Sequence, residues 1–370
     1  MRGSTRRGSA PCPASSPPSH RCSRRIRGFR RERAHFDLPS VARLGHKDRQ
    51  RPAAASNGRQ DFGEGELDEP YEVLDGAFRE LIDPAAPLET LWTGADFGEG
   101  PAYFPAARSL VWSDITTDRL LRYDECTGQV GVFRAPSGFA NGNTVDREGR
   151  LVTCEGGNRR VTRTEHDGTI TVIADRFDGR RLNSPNDVVV KSDGSVWFTD
   201  PSYGADDARF GGGGPSEIGR QHVYRVDPHG GAVTLVSDDF VQPNGLAFSP
   251  DERLLYVVET GGTHVEGLPF TMHVYDVADG RRLTGGRLFA TCAPGVFDGL
   301  RIDEHGNVWT SGGRGVHCYR PDGTWLGTIR IEGQQVTNLV FGGRDRRRLF
   351  ITGLHALFAV DVAVRGARTF

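Results

Sequence analysis

No run of about 18 apolar residues occurs anywhere in this 370-residue chain, so no transmembrane helix is expected. Lysine is nearly missing: Lys47 and Lys191 are the only two, and arginine carries the basic charge throughout. With 46 basic residues against 48 acidic ones, the net charge of −2 supplies no global field for nucleic acid. The six cysteines (12, 22, 126, 154, 292 and 318) show no CxxC pairing, and no Cys/His cluster suggests zinc. They are expected to be reduced, buried thiols of a cytoplasmic protein. No GxSxG is present, which leaves a serine-hydrolase elbow without support. The Gly211 to Gly214 run neither follows a strand nor opens a helix, so it is no dinucleotide fingerprint. An EF-hand loop is also absent.

What is present is unevenly spread. Residues 1–60 hold fifteen Arg or Lys against three acids, roughly +12, which leaves about −14 for the remainder. This Arg-, Ser- and Pro-rich stretch has no apolar period and too little to bury, so residues 1–65 are expected to be a disordered extension. It contains no apolar core of a secretory signal. An organellar transit peptide, an RNA-binding arm and a start assigned upstream of the true one are alternative readings of it. Residues 66–370 are expected to form one folded domain.

Past residue 88 the texture is all β: short Val-, Ile-, Leu-, Phe- and Trp-rich runs separated by DG, DxxG and PDG turns. Helix is expected only near residues 73–82. The strands LVWSD, RLVTC, SVWFTD, LLYVVE, NVWTS and RLFITG align on Trp112, Val152, Trp197, Tyr256, Trp309 and Phe350, spaced 40, 45, 59, 53 and 41 residues apart. Six units of this length, each worth about four strands, predict a six-bladed β-propeller. Trp112, Trp197 and Trp309 are then packing residues between blades. A strand near residues 88–92 is expected to pair with the C-terminal blade and close the ring. Asp193, Asp251 and Asp303 fall in hairpin turns, and His264 and His273 are read as structural or solvent-exposed.

Eleven to thirteen residues ahead of each aligned position stands a side-chain oxygen: Glu99, Asn141, Asn186, Asn244, Asp298 and Asn338. The first strand of a propeller blade lines the central channel, so these six form a polar ring at one mouth. Two are carboxylates, and neighbouring carboxylates repel unless a proton or a cation lies between them. An all-oxygen ring of this charge suits one hard divalent cation, Ca²⁺ first, with Mg²⁺ or Mn²⁺ as alternatives.

The motifs EGPAYFPAARSLVWSDI, NGNTVDREGRLVTCE, RLNSPNDVVVKSDGSVWFTDPSYG, QPNGLAFSPDERLLYVVETG and FDGLRIDEHGNVWTSGG, followed by TNLVFGG, resemble the senescence-marker-protein/gluconolactonase family. The bacterial sugar-lactonase branch is the nearest, and the likeness spans about residues 70–365. It implies a six-bladed propeller with one divalent metal held by Glu99, Asn186, Asn244 and Asp298, and hydrolysis of a lactone, typically an aldonolactone such as gluconolactone. Organophosphate cleavage in the same site, and a non-catalytic binding propeller, are the alternatives. Ser184 stands where the animal branch carries a substrate-contacting Arg, and Gly156 where bacterial relatives often have His; both bear on the sugar preference.

The implied chemistry is polarisation of the lactone carbonyl by the metal, with Asp298 as base for the attacking water or as direct nucleophile. Asn141, Asn143, Ser184, Asp187 and Asn338 are candidate contacts to a small, polyhydroxylated lactone. Tyr203 belongs to an inserted loop, residues 202–222, read as a lid or as a plain surface loop. Neither nucleic acid nor membrane is expected as a partner.

Overall fold

The stretch SPNDVVVKSDGSVWFTD folds as the inner half of one blade. Strand Val188–Val190 pairs antiparallel with Val196–Asp200, Val188 opposite Phe198. The turn between them is held by Asp193, whose Oδ1 accepts the Ser195 N–H at 2.9 Å. The same device recurs at Asp251, which accepts the Arg253 N–H at 3.1 Å, and at Asp303, which accepts the N–H groups of His305 and Asn307 at 2.9 Å. The turn aspartates therefore fold hairpins, as expected from their DG and DxxG settings.

A computed structural model describes residues 70–368. Six antiparallel sheets of four or five strands follow in chain order, each with its strands ordered from the inside outward, besides one two-stranded hairpin, Arg176–Phe177 with Arg180–Arg181. Their inner strands are Gly98–Phe104, Ala140–Val145, Val188–Val190, Pro243–Phe248, Leu300–Ile302 and Val336–Gly342. They head blades 1 to 6 and abut one another around the axis. The molecule is thus the six-bladed propeller that the repeat predicts.

Closure is by the N-terminal strand. Glu89–Thr93 pairs with Ala356–Asp361 as the outer strand of blade 6, and Tyr71–Val73 adds a fifth strand to blade 5. Both protect edges that would otherwise be open for pairing. The expected helix at 73–82 shrinks to one turn, Phe78–Leu81, because Tyr71–Val73 is taken by the sheet and Phe78 is anchored on Trp309, 6.0 Å between rings.

The six aligned residues lie on the second strands of the six blades, each at most 1% exposed. Trp197 packs edge-on against Phe248 of the next blade at 5.4 Å, Trp309 against Phe341 at 6.0 Å, and Phe350 stacks on Tyr103 at 5.5 Å. Trp112 meets Trp92 of the closing strand at 5.7 Å. These rings fill the wedge between neighbouring sheets, where their area is worth most.

Cys154, Cys292 and Cys318 are buried and free, as expected, whereas Cys126 is exposed. The correction has a local cause: Cys126 sits in the hairpin turn after Asp124, whose carboxylate accepts its N–H at 2.9 Å, and a turn tip has nothing to bury it. Cys12, Cys22 and the basic segment 1–65 lie outside the described residues. Among those described, no helix is long and apolar enough to cross a membrane.

Candidate functional site

The heads of the six inner strands are stitched to one another across every blade seam. Gly142 N–H donates to the Asn186 carbonyl at 2.6 Å, Gly245 N–H to the Asp298 carbonyl at 3.2 Å, and Gly299 N–H to the Thr337 carbonyl at 2.8 Å. Thr337 Oγ1 reaches the Gly98 carbonyl at 2.7 Å, and Asn143 Nδ2 the Gly100 carbonyl at 2.8 Å. At the remaining seam the Leu246 N–H faces the Asp187 carboxylate. Glycine is obligatory at two of these approaches: a Cβ on Gly245 would lie 2.2 Å from the Asp298 carbonyl, and one on Gly299 2.0 Å from the Asn338 amide carbon. Gly follows four of the six ring residues, at positions 100, 142, 245 and 299, and there lets the polar heads crowd the axis.

Glu99, Asn186, Asn244 and Asn338 are all buried, and Asp298 is partly so. Asn338 Nδ2 donates to Glu99 Oε2 at 2.9 Å while its Oδ1 accepts the Leu339 N–H at 2.8 Å. Asn244 hydrogen-bonds the Asp298 carboxylate. Burial pushes the Glu99 carboxyl well above the usual range; the Asn338 bond opposes this, and the Asp187 charge adds to it. Asp298 is driven up in the same way by burial and then by the charges of Glu99 and Asp187. Asp187, raised by burial too, is offset by Arg301, whose Nη1 lies 4.0 Å from its Oδ2. Three carboxylates thus face one another with a single guanidinium beside them.

Two oxygens of this group, Glu99 Oε1 and Asp187 Oδ2, are buried without a hydrogen-bond partner. Orphaned carboxylate oxygens in a low-dielectric pocket are costly unless a cation or proton meets them. Among the described residues no three His, Cys, Asp or Glu side chains converge as a metal cluster on their own. A cation here needs the amide oxygens of Asn186 and Asn244 beside the carboxylates of Glu99 and Asp298, which is the hard, all-oxygen donor set of Ca²⁺ and Mg²⁺. The residues present fit such an ion.

Of the six candidate substrate contacts, Asp187 is buried beside Arg301, and the other five separate into two groups. Asn141 heads blade 2 half-exposed, and Tyr203 is within electrostatic reach of Asp298. Three others have their side chains spent inside the fold. Asn143 is fully buried and bonds Gly100, Ser113, Asn141 and Thr153. Ser184 Oγ donates to the Pro201 carbonyl at 2.8 Å and accepts the Gly204 N–H at 2.9 Å. Asn338 is committed to Glu99 and Leu339.

The inserted segment is ordered over the mouth. Tyr203–Asp206 forms a helical turn and Ala208–Phe210 a 3₁₀ turn. Phe210 packs edge-on against Phe97, two residues before Glu99, at 5.3 Å. Gly211 meets Gly157 of blade 2, where a Cβ would be 2.3 Å from the Gly157 Cα. Arg159 Nη1 ties down the Gly213 carbonyl at 3.2 Å. Gly156 lies beneath this cover, where a Cβ would be in ordinary contact with the Phe210 carbonyl at 3.8 Å.

Sequence reasoning missed Thr260 and read His264 as structural or solvent-exposed. Thr260 Oγ1 lies 2.5 Å from Tyr203 Oη and 3.5 Å from Asn244 Nδ2, joining the insert to the ring. His264 stacks edge-on against Tyr203 at 5.2 Å, with Asp206 at 3.6 Å. Their only signal was proximity in sequence to the fourth hairpin. His273, in contrast, packs on Phe240 at 5.8 Å between blade strands. A cleft of about 810 Å³ at the seam of blades 6 and 1 contains no ring residue; within it Arg348 pairs with Asp361 and Arg108 with Glu125.

Comparison with known proteins agrees with this fold. The model of the SMP-30/Gluconolactonase/LRE-like region matches residues 97–355. A gluconolactonase of Zymomonas mobilis is 28% identical, the likeness covering 77% of this chain and 84% of that protein. A pentonolactonase of Haloferax volcanii is 30% identical over 75% of this chain and 95% of its own. A solved gluconolactonase structure from Xanthomonas campestris superposes with a TM-score of 0.74 at 38% identity, covering 80% of this chain and 95% of that one. On the match across most of the propeller, this chain belongs to the SMP-30/gluconolactonase/LRE-like family.

Proposed function

We propose that this protein hydrolyses a lactone ring, most fittingly a sugar aldono-1,5- or 1,4-lactone, with one divalent cation, Ca²⁺ first, held by Glu99, Asn186, Asn244 and Asp298. The observation that carries the reading is the ring itself, desolvated carboxylates and amides among which Glu99 Oε1 has no hydrogen-bond partner, with the likewise unbonded Asp187 Oδ2 beside it. Relatives named for gluconolactone and pentonolactone hydrolysis support the substrate class. The cation supplies Lewis acidity to the lactone carbonyl.

The residues do the rest. Asp298, a carboxylate at the head of blade 5 beside the place the cation would take, is the group suited to take a proton from water as it attacks. Asn338 keeps Glu99 turned to the ring, and Asn244 does the same for Asp298. Arg301 offsets the charge of Asp187 below them. Tyr203 and Asn141 orient the substrate's hydroxyls, while Phe97 and Phe210 keep bulk water from the reacting carbonyl.

The test is ring opening of glucono-1,5-lactone, followed by acid release with the spontaneous rate subtracted, on metal-stripped protein titrated with Ca²⁺, Mg²⁺, Mn²⁺ and Zn²⁺. A rate that returns with metal and is missing in Asp298→Ala is the expected result. Metal binding without turnover of this or any lactone in a panel would leave a binding propeller instead.

A further inference from the structure

In blades 1, 3 and 4 the second strand ends in a buried carboxylate: Asp114, Asp200 and Glu259. Each one reaches back to the chain entering its own inner strand. Asp114 Oδ1 accepts the N–H groups of Asp96 and Phe97 at 2.9 and 3.0 Å. Asp200 takes those of Asn183 and Ser184 at 2.8 and 2.9 Å, one on each oxygen. Glu259 takes those of Val241 and Gln242 at 2.6 and 2.9 Å, again one on each. In every case the two pinned amides stand three and two residues ahead of the strand head: Glu99, Asn186 and Asn244.

The other blades do not share this pattern. Glu155 ends the second strand of blade 2 but binds Arg134, Arg160 and Thr162, and the entry there is held by Asp118 of blade 1, through Ser137 and Phe139 at 2.9 and 2.7 Å. Blades 5 and 6 end their second strands in Gly312 and Gly353. The pins therefore occur in the three blades that contribute Glu99, Asn186 and Asn244. Asp298 is held differently, by its own N–H on Ser311 Oγ at 2.9 Å.

Two successive N–H groups gripped by one buried carboxylate set both the position and the direction of the chain, and charge-assisted bonds of this kind are strong for their length. The residue two steps on inherits that placement. We propose that Asp114, Asp200 and Glu259 are positioning residues that preset Glu99, Asn186 and Asn244 for a divalent cation. The inference rests on the ring being the cation site.

Calcium titration by calorimetry of the full chain, stripped of metal, tests it on Asp114→Asn, Asp200→Asn and Glu259→Gln. Asp118→Asn removes the same kind of pin from a blade without a proposed ligand. Each of the three variants is expected to bind Ca²⁺ about 10–100-fold more weakly, while Asp118→Asn keeps wild-type affinity even where its melting temperature falls as far. Wild-type affinity in all three, or an equal loss in Asp118→Asn, would overturn the proposal. Ca²⁺ binding at wild-type affinity in both Glu99→Gln and Asp298→Asn sinks the cation-site reading itself, and this inference with it. Should a variant fail to fold, hydrogen exchange on the wild type decides: the amides of residues 183, 184, 241 and 242 slow further on adding Ca²⁺ if the pins are coupled to the ring, and equal rates with and without the ion reject the coupling.

Discussion

Glu99, Asp187 and Asp298 repel one another in a ring where Arg301 is the compensating charge, so in metal-free protein each ionised carboxylate is held against the field of the others. Glu99→Gln removes one charge while its amide can still meet Asn338. We expect metal-free Glu99→Gln to melt at or above the wild-type temperature and yet to lose most of its divalent-ion affinity, read by paired thermal melts and calorimetry. A lower melting temperature with unchanged affinity would refute the repulsion account. Asp200 carries a separate pH signature. Burial pushes its carboxyl up to about 7, against the lowering effect of the Asn183 and Ser184 N–H groups, whereas an unfolded Asp titrates near 3.8. Between those values the folded state binds the extra proton, so its contribution to stability is full below pH 3.8 and is lost as the pH rises through 7. The melting temperature of metal-free wild type should fall more steeply over that window than that of Asp200→Asn; parallel profiles would count against it.

At the scale of elements, the second strands carry the stability and the insert carries the mouth. Trp197 is fully buried between blades 3 and 4. Its replacement by Ala is expected to cost about 3–5 kcal/mol, measured by denaturant unfolding, with Ca²⁺ affinity unchanged in whatever fraction remains folded. Gly211→Ala acts on the other function. Its methyl would collide with the Gly157 backbone and must lift the insert, and the positive φ of 121° at Gly211 adds strain. We expect faster proteolysis within residues 202–216 and a raised KM for the lactone, with metal affinity kept; an unchanged KM would separate the insert from substrate binding.

For the whole molecule, closure depends on a strand distant in sequence from its partner. Glu89–Thr93 covers the edge of Ala356–Asp361, and Arg348 Nη2 clamps Glu89 at 2.9 Å. A chain beginning after residue 93 leaves that edge free and loses the Trp92–Trp112 contact, so it is expected to aggregate or to melt far below the intact protein. A chain beginning at residue 66 keeps every strand of the propeller and should match the full chain in melting temperature and Ca²⁺ binding. Size-exclusion chromatography and thermal melts of the two truncations decide both points.

Blade number, the second-strand positions and the six ring residues were legible in the sequence because each is a repeat: period-2 strands between aspartate turns recur, and residues at one phase of a propeller share one radius. The closing strand was legible for a related reason, since an unpaired apolar edge calls for a partner. What each polar side chain does once there was not. Asn143, Ser184 and Asn338 look the same in sequence as Asn141 or Asn186, yet the first three are consumed by hydrogen bonds from other blades or from the insert. The pins at Asp114, Asp200 and Glu259 stood in plain view at the ends of aligned strands, but which amides they grip depends on how each strand bends back. The six-fold repeat and the choice of oxygens at the strand heads follow from period alone. Which of those oxygens end up without a partner depends on contacts between blades that are far apart along the chain, and so emerges only once the blades are packed.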